Sequence, residues 1–341
     1  MNGIERIKAA ISFQKQDHVP VMPQVFGHAA ILSAVTLDDY IRDGDLLARC
    51  QLNAQEFYGY DAVFALMDVY VESEAMGSVL VYQADRYPTV KAYAADVSGL
   101  NNLTVPDPYR DGRMPELIKA AAYLRREVGN NVLVVGCVLG PMTLAVQLLG
   151  MEKAIYLAID EPEQFTRLLD FATSVIIRFG SAQLEAGVHL PVVFDPASSP
   201  DVIPPQFFRE FILPRLKQVF ESFKQAGSAV NWLHTTGPVE PILPFYTQAG
   251  VELFNIDYCV SPLNAMQALP QTCLNGNIKP VSFIEKTPAE IKAESSNLID
   301  LFAKRGGFIL SSGCEIPPES KPENIAAMVS AARGDGEQCQ R

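Results

Sequence analysis

The feature that most constrains the fold is a regular alternation of short apolar runs with amphipathic helical segments. The runs favour strands and are bounded by Gly, Pro, Asn or Asp, and the alternation repeats eight times within 341 residues. Eight such units predict an α/β fold, a single-domain (β/α)8 TIM barrel over residues 1–333. A doubly wound open sheet is less compatible, because no Gly-x-Gly-x-x-Gly follows the first strand. The predicted strands begin near Val19, Ala62, Val132, Pro191, Val230, Val251, Thr272 and Phe308.

Three segments fall outside this repeat. Residues 1–16 have an amphipathic pattern that predicts an N-terminal helical extension. Residues 69–93 alternate irregularly, so we expect a β-excursion on the rim of the barrel and no crossover helix there. The polar tail 334–341 is predicted to be disordered.

The charge balance excludes several classes of partner. The formal net charge is -12, so a general nucleic-acid or anionic-membrane surface would repel the protein. The N-terminal residues scatter charges and lack the apolar core of a signal peptide, and no run of about 18 apolar residues suggests a membrane span. We therefore expect a cytoplasmic protein. Its six cysteines are widely spaced, which favours thiols or metal ligands over disulfides.

Several predicted strands end in residues that are able to carry chemistry. The run V-N-W-L-H-T-T-G ends a strand on His234, and G-F-I-L-S-S-G-C-E ends a later strand on Cys314. Between them, V-E-L-F-N-I-D-Y-C ends on Asp257 and Cys259. The C-terminal ends of barrel strands carry the active site in such folds. His234, Cys314 and Cys259 are therefore candidate ligands for one soft metal ion.

Each of these candidates also has a purely structural interpretation. His234 is equally compatible with a hydrogen-bonded rim histidine, and free cysteines are commonly small buried apolar residues. Asp68 and Asp195 end two other strands, where they suit catalysis or simply cap helices. His28 is expected near the end of the first strand, as a hydrogen-bond donor on the rim.

Several stretches, in order along nearly the whole chain, resemble the uroporphyrinogen decarboxylase superfamily, and within it the corrinoid-dependent methyltransferases. These stretches are D-H-V-P-V at 17–21, Y-D-A-V-F through D-V-Y-V-E-S-E-A-M-G at 60–77, G-P-M-T-L-A at 140–145, F-D-P-A-S-S-P-D-V-I-P-P-Q-F-F-R-E-F-I-L-P-R-L-K at 194–217, the H-T-T-G turn, N-G-N-I-K-P at 275–280 and G-C-E-I-P-P at 313–318.

The resemblance implies one of two activities, decarboxylation or methyl transfer, and the residues after the first predicted strand distinguish between them. Decarboxylases of this family carry an arginine-containing motif after the first strand that pairs with the carboxylates of their tetrapyrrole. Here that stretch is V-P-V-M-P-Q-V-F-G-H-A-A and contains no arginine. Without guanidinium groups a substrate with many carboxylates lacks bidentate partners there, so decarboxylation of uroporphyrinogen is disfavoured.

The resemblance to the methyltransferase branch implies a zinc ion that is held by a His-x-Cys pair and a distal cysteine. His234 and Cys314 match the first and third ligands, but Thr236 stands where the middle cysteine is expected. A hydroxyl is a poor zinc ligand beside a thiolate. Two alternatives follow: Cys259, Asp257 or Glu315 completes the coordination, or this member lacks the metal and uses a different acceptor.

The sequence thus predicts a corrinoid-dependent methyltransferase. It would transfer a methyl group between methylcobalamin, free or on a corrinoid protein, and a thiol or other small acceptor, with possible zinc assistance. His234, Cys314, Asp195 and Asp68 are the predicted catalytic residues, and His28, Gly140 and Asn277 are predicted to bind the cofactor. A uroporphyrinogen decarboxylase-like lyase and a non-catalytic corrinoid-binding subunit are the alternatives.

Overall fold

The computed structural model describes residues 1–334, so most of the predicted disordered tail lies outside the described residues. Gly334 itself is described and caps the last helix. The strands are β1 Ala62–Ala65, β2 Val79–Gln83, β3 Arg86–Ala92, β4 Leu133–Leu139, β5 Leu190–Phe194, β6 Trp232–His234, β7 Leu253–Asn255, β8 Cys273–Ile278 and β9 Phe308–Ser312.

The helices surround these strands. They are α1 Gly3–Ile11, α2 Gly27–Leu32, α3 Leu37–Tyr40, α4 Gly44–Tyr58, α5 Val71–Ala75, α6 Met114–Val128, α7 Pro141–Leu149, α8 Met151–Asp160, α9 Pro162–Glu185, α10 Pro205–Phe207, α11 Leu213–Gln225, α12 Leu243–Ala249, α13 Pro262–Ala268, α14 Ser282–Glu285, α15 Pro288–Phe302 and α16 Pro322–Arg333.

Seven strands form one curved, fully parallel sheet in the order β1-β4-β5-β6-β7-β8-β9. Strands β1, β4, β5, β6, β7 and β9 are buried along their whole length, as expected of a parallel sheet with helices outside and side chains filling the interior. The predicted α/β class and parallel sheet are confirmed.

The first predicted strand is not a regular strand. Val21 makes a single parallel bridge to Leu310 of β9, supported by the Met22 N–H to Leu310 O bond of 2.9 Å. On the other side, the Asp61 N–H donates to Val21 O at 2.8 Å. Pro20 and Pro23 flank this segment and carry no N–H, so a longer ladder lacks donors. The segment Pro20–Met22 nevertheless connects the two edges of the sheet.

Local sequence signals explain where the helices begin. Asn2 and Glu5 form a capping box at α1, and Thr287 and Glu290 form another at α15. Proline occupies the first turn of α7, α9, α13 and α16, where its missing N–H has no intrahelical role.

The predicted N-terminal helix and the β-excursion are both present. The excursion consists of the short helix α5 and the antiparallel hairpin β2–β3. Among residues 1–334 no single helix is long and apolar enough to cross a membrane, although α7 and α8 meet that length and composition together while bent by 107°.

Candidate functional site

A polar layer crosses the interior of the sheet at the C-terminal ends of the strands. In the sheet register His234 lies opposite Asn255, which in turn lies opposite Asn275. Gln24, from the segment after the one-residue bridge, reaches the same layer. All four side chains are at most 1% exposed. A buried polar layer at this end of a parallel sheet is the expected position of an active site.

His234 is held by two neighbours. Gln24 Nε2 lies 3.3 Å from His234 Nδ1, and the ring of Phe194 packs at 4.6 Å between centroids. His234 Nε2 is buried and has no hydrogen-bond partner among the described residues. Burial lowers the pKa of His234 to about 3, so the imidazole is neutral at physiological pH.

The asparagines form the second part of the layer. Asn255 Nδ2 donates to Asn275 Oδ1 at 2.7 Å and to Ser312 O at 3.2 Å. The Gln24 N–H donates to Ser312 Oγ at 3.3 Å. The sequence analysis did not select these residues. The signal was available, because Asn255 and Asn275 each follow two apolar residues of a strand, Asn255 as the last residue of β7 and Asn275 as the third of six in β8.

Asp195 follows β5 and is fully buried. Its Oδ1 accepts the backbone N–H and the hydroxyl of Thr143, both at 2.8 Å, at the start of α7. Its Oδ2 is buried without a protein partner in the part of the chain that the structure describes. Burial raises the pKa of Asp195 to about 6. Asp195 therefore caps a helix with one oxygen and leaves the other available.

Gly140 is what allows Asp195 this position. A Cβ on Gly140 would lie 2.2 Å from both Cβ and Cγ of Asp195, so only glycine fits. The absence of a side chain at Gly140 leaves room for the Asp195 carboxylate. Its predicted contact with a cofactor stays a prediction.

Asp68 is engaged in an ion pair. Arg113 donates to its two oxygens at 2.5 and 3.2 Å and also to Glu74 Oε2 at 2.6 Å. The Tyr70 N–H donates to Asp68 Oδ1 at 2.7 Å. Arg113 lies on the loop before α6, far from Asp68 in sequence, which is why this pairing was not predicted. An aspartate saturated by a guanidinium is a poor candidate for proton transfer.

The two thiol candidates lie on the loops after β7 and β9, and the amide candidate Asn277 lies within β8. Cys314 is partly buried and Cys259 is exposed, and burial raises the pKa of each thiol to about 11. Asp257 accepts the Gly237 N–H at 3.0 Å and the Cys259 N–H at 3.2 Å. Asn277 Nδ2 donates to the carbonyls of Asp257 and Val260. Asp257 and Asn277 thus brace the loop after β7.

His28 does not end a strand. It lies in α2, where Nδ1 donates to Pro318 O at 2.9 Å and Nε2 accepts from the Tyr58 hydroxyl at 2.7 Å. Both ring nitrogens are therefore satisfied by the protein. The expected strand end was wrong because the chain turns into a helix at Gly27, directly after Phe26.

The hairpin β2–β3 is attached to the same end of the sheet. The Tyr87 hydroxyl donates to Glu315 Oε1 at 2.5 Å, and the Gly27 N–H donates to that oxygen at 3.2 Å. Burial raises the pKa of Glu315 to about 7. Glu315 directly follows Cys314, so the hairpin is fixed beside a predicted site residue.

The predicted zinc ligands do not fit a metal. Within residues 1–334, no group of three or more His, Cys, Asp and Glu side chains is arranged to hold an ion. The middle ligand position is Thr236, whose hydroxyl is a poor zinc ligand beside a thiolate, and Cys259 faces solvent. Zinc is therefore not supported by the donor set of this chain.

Comparison with known proteins agrees with this architecture. The uroporphyrinogen decarboxylase family model matches residues 2–334. The methylcobamide:CoM methyltransferase MtaA of Methanosarcina barkeri is 30% identical over 293 residues, 84% of each chain. The uroporphyrinogen decarboxylase of Syntrophotalea carbinolica is 29% identical over 297 residues, covering 84% of this chain and 82% of its own.

A solved structure of a methyltransferase from Methanosarcina mazei superimposes with a TM-score of 0.89. It is 27% identical and covers 98% of this chain and 99% of its own. The family resemblance read from the sequence is confirmed, and it extends over nearly the whole chain. The chain belongs to the uroporphyrinogen decarboxylase family.

Proposed function

We propose that this protein is a corrinoid-dependent methyltransferase that takes or returns a methyl group at a methylcobamide and uses a small thiol or similar molecule as the partner substrate. The names of several relatives support this class of reaction, since they are methylcobamide:CoM methyltransferases. The observation that carries the choice is the composition of the polar layer. It holds neutral donors and acceptors, and the Asp195 carboxylate lies beside it as the candidate proton acceptor.

The same observation weighs against decarboxylation of a tetrapyrrole with many carboxylates. Such a substrate needs fixed cations, and the stretch 19–30 after the first predicted strand contains none. Arg113, which lies near the rim, is already bound by Asp68 and Glu74. Asp68 is likewise occupied and is not available for pyrrole N–H groups.

The chemistry asks for one proton transfer. When a thiol is the acceptor, it loses its proton, its sulfur lone pair forms the bond to the methyl carbon, and the cobalt–carbon bond breaks with its electron pair remaining on cobalt. A free thiol has a pKa of about 8.5 and is mainly protonated at neutral pH. Asp195 Oδ2 is the group proposed to receive this proton, because it has no protein partner and is mainly ionised at pH 7.

We further propose that the sheet closes as a (β/α)8 barrel in which Pro20–Met22 acts as the eighth stave. The backbone hydrogen bonds from this segment to Leu310 and Asp61 support closure on both sides. Closure would make Gln24 face β6 across the interior of the barrel, where its side chain meets His234.

The test is a methyl-transfer assay with purified full-length protein and free methylcobalamin. Coenzyme M and a second thiol serve as acceptors, and loss of the methylcobalamin spectrum is followed. The wild type is expected to accelerate demethylation above the protein-free rate. Asp195→Asn is expected to reduce the rate by about 10²-fold, the range for loss of a general base.

Asp160→Asn is the matched control, because Asp160 is an exposed aspartate at the end of α8 and should leave the rate unchanged. A parallel incubation with uroporphyrinogen tests the alternative activity. Formation of the four-carboxylate product, with no acceleration of demethylation, would overturn the proposal in favour of a decarboxylase.

A further inference from the structure

We propose that Gln24 fixes His234 in the tautomer that carries its proton on Nε2, so that His234 acts as a neutral hydrogen-bond donor where relatives of this branch are expected to use a metal ligand. Gln24 is thus a positioning residue. The identity of the ligand that receives the hydrogen bond rests on the proposed function; the tautomer does not.

The contact between the two side chains sets the tautomer. Gln24 Nε2 lies 3.3 Å from His234 Nδ1, and an amide nitrogen only donates. Nδ1 must then be the acceptor and carry the lone pair. A neutral imidazole has one N–H, which is left on Nε2. The low polarity around a histidine that is 1% exposed keeps the ring neutral.

The orientation of the Gln24 amide follows from what each orientation would bury. In the present orientation one carbonyl oxygen, Gln24 Oε1, lacks a partner. The reversed amide would place an NH2 group with two N–H donors at that position instead. Buried orphan N–H groups are rarer than under-satisfied carbonyl oxygens, so the present orientation is favoured. The backbone bond from Gln24 to Ser312 Oγ fixes where its side chain begins.

The consequence concerns the ligand. His234 Nε2 is buried without a partner among the described residues, so its N–H calls for an acceptor atom on a bound molecule. In the proposed reaction that atom is the sulfur or oxygen of the methyl acceptor. When the acceptor loses its own proton, the His234 N–H would stabilise the negative charge that develops on this atom. A metal ion, in contrast, requires a lone pair on Nε2. The Nε2–H tautomer and the incomplete donor set thus both argue that the residues of this chain do not fit zinc.

The experiment is a nitrogen-15 NMR spectrum of protein labelled on histidine, which reports which ring nitrogen of each imidazole is protonated. The chain has four histidines, and two of the others supply internal references. His28 donates from Nδ1 to a carbonyl and has the opposite tautomer. His189 Nδ1 accepts the Val134 N–H at 2.9 Å and has the tautomer expected for His234. The His234 signals are assigned by their loss in His234→Gln.

The expected result at pH 7.5 is an unprotonated Nδ1 and a protonated Nε2 for His234 in the wild type. Gln24→Glu should move the proton to Nδ1, since a carboxylate only accepts, while the signals of His28 and His189 stay in place. Added Zn²⁺ at one equivalent should leave the His234 signals unshifted. No substrate is present, so this result is separate from the outcome of the methyl-transfer assay.

The inference is overturned by a wild-type His234 with its proton on Nδ1, by unchanged His234 signals in folded Gln24→Glu, or by zinc that shifts the Nε2 resonance. If Gln24→Glu fails to fold, Gln24→Leu replaces it. That variant should give a mixture of both tautomers, and retention of the pure Nε2–H form would contradict a role for Gln24.

Discussion

Asp195 has two roles in this site, because it caps a helix with one oxygen and is the proposed proton acceptor with the other. Its Oδ1 caps the start of α7 through Thr143, an interaction that stabilises the charged form, while its burial favours the neutral form. Burial is the larger effect, so the pKa of Asp195 rises to about 6. A carboxyl with this pKa is close enough to neutrality to exchange a proton during a reaction.

This raised pKa predicts a pH dependence of stability. Well below the ordinary pKa of 3.8, Asp195 is protonated in both the folded and the unfolded protein. As pH rises through 6 the folded state must hold a buried charge, so stability is lost, by about 3 kcal/mol for a shift of about two pKa units. Asp195→Asn does not titrate. Urea unfolding at pH 4, 5, 6 and 7 should therefore show that the free energy of unfolding of Asp195→Asn increases relative to that of the wild type as pH rises.

The exposed Asp160→Asn variant should follow the wild type across the same range, since its carboxyl gains no burial on folding. A free-energy difference between Asp195→Asn and wild type that stays constant from pH 4 to pH 7 would contradict the assigned burial effect.

At the residue scale the sequence predicted the residues that end strands, but not their partners. His234 and Asp195 follow apolar runs and were found by position alone. Gln24 meets His234 across 210 positions, and Arg113 meets Asp68 across 45. Nothing in the local pattern around Gln24 or Arg113 marks such contacts, because they arise only when the sheet curves. The predicted zinc site is not supported for a related reason. The spacing of candidate ligands in the sequence does not establish that their side chains converge on one metal position among the described residues.

At the element scale, helix positions were easier to predict than the first strand. Capping boxes and first-turn prolines are local signals, and the structure begins α1, α7 and α15 where those signals stand. The first strand failed because Pro20 and Pro23 remove the N–H groups that a ladder requires. Apolar composition alone did not reveal that loss.

The hairpin β2–β3 is the element whose attachment matters most to the site. Gly27 permits the approach, since a Cβ there would lie 2.8 Å from the Tyr87 hydroxyl. That hydroxyl bonds Glu315, and at the other strand the Tyr82 hydroxyl bonds Glu74. Tyr87 thus ties the hairpin to the loop after β9, and Tyr82 ties it to α5 within the excursion.

Tyr87→Phe should loosen this hairpin without unfolding the sheet. The change removes one hydrogen bond to a partly buried carboxyl, which is worth about 1–2 kcal/mol. Amide hydrogen exchange over residues 79–92 should become about 5- to 30-fold faster, while exchange in β5 and β6 stays unchanged. Tyr156→Phe, at an exposed position on α8, is the control and should leave the hairpin protected. Equal exchange in wild type and Tyr87→Phe would show that the Tyr87–Glu315 bond does not hold the hairpin.

At the scale of the whole molecule, the two edges of the sheet meet around a buried ion pair. Asp61 precedes β1, and its Oδ2 accepts the Val21 N–H at 2.8 Å. Its Oδ1 accepts from Arg6 of α1 at 2.5 Å, and Arg6 also binds Asp17. Arg6 and Asp61 are both buried. The Arg6–Asp61 pair thus joins α1 to the start of β1, and Asp61 in turn holds the bridging segment Pro20–Met22.

Removing that guanidinium should be costly, because it leaves the Asp61 carboxylate buried without its cation. Breaking a buried pair in this way costs about 3–5 kcal/mol, whereas loss of an exposed pair costs about 0–1 kcal/mol. Arg6→Leu should therefore lower the free energy of unfolding by several kcal/mol in urea denaturation. Arg110→Leu is the matched control, since Arg110 is 76% exposed in its pair with Asp111.

The double variant Arg6→Leu with Asp61→Asn separates the two possible causes of that loss. If the uncompensated charge is responsible, the neutral amide should recover part of the stability while still accepting the Val21 N–H. If the loss comes from missing side-chain packing, the double variant should be no more stable than Arg6→Leu. A loss below about 1 kcal/mol in Arg6→Leu itself would mean that the sheet edges are held together by the backbone bonds of Pro20–Met22 alone.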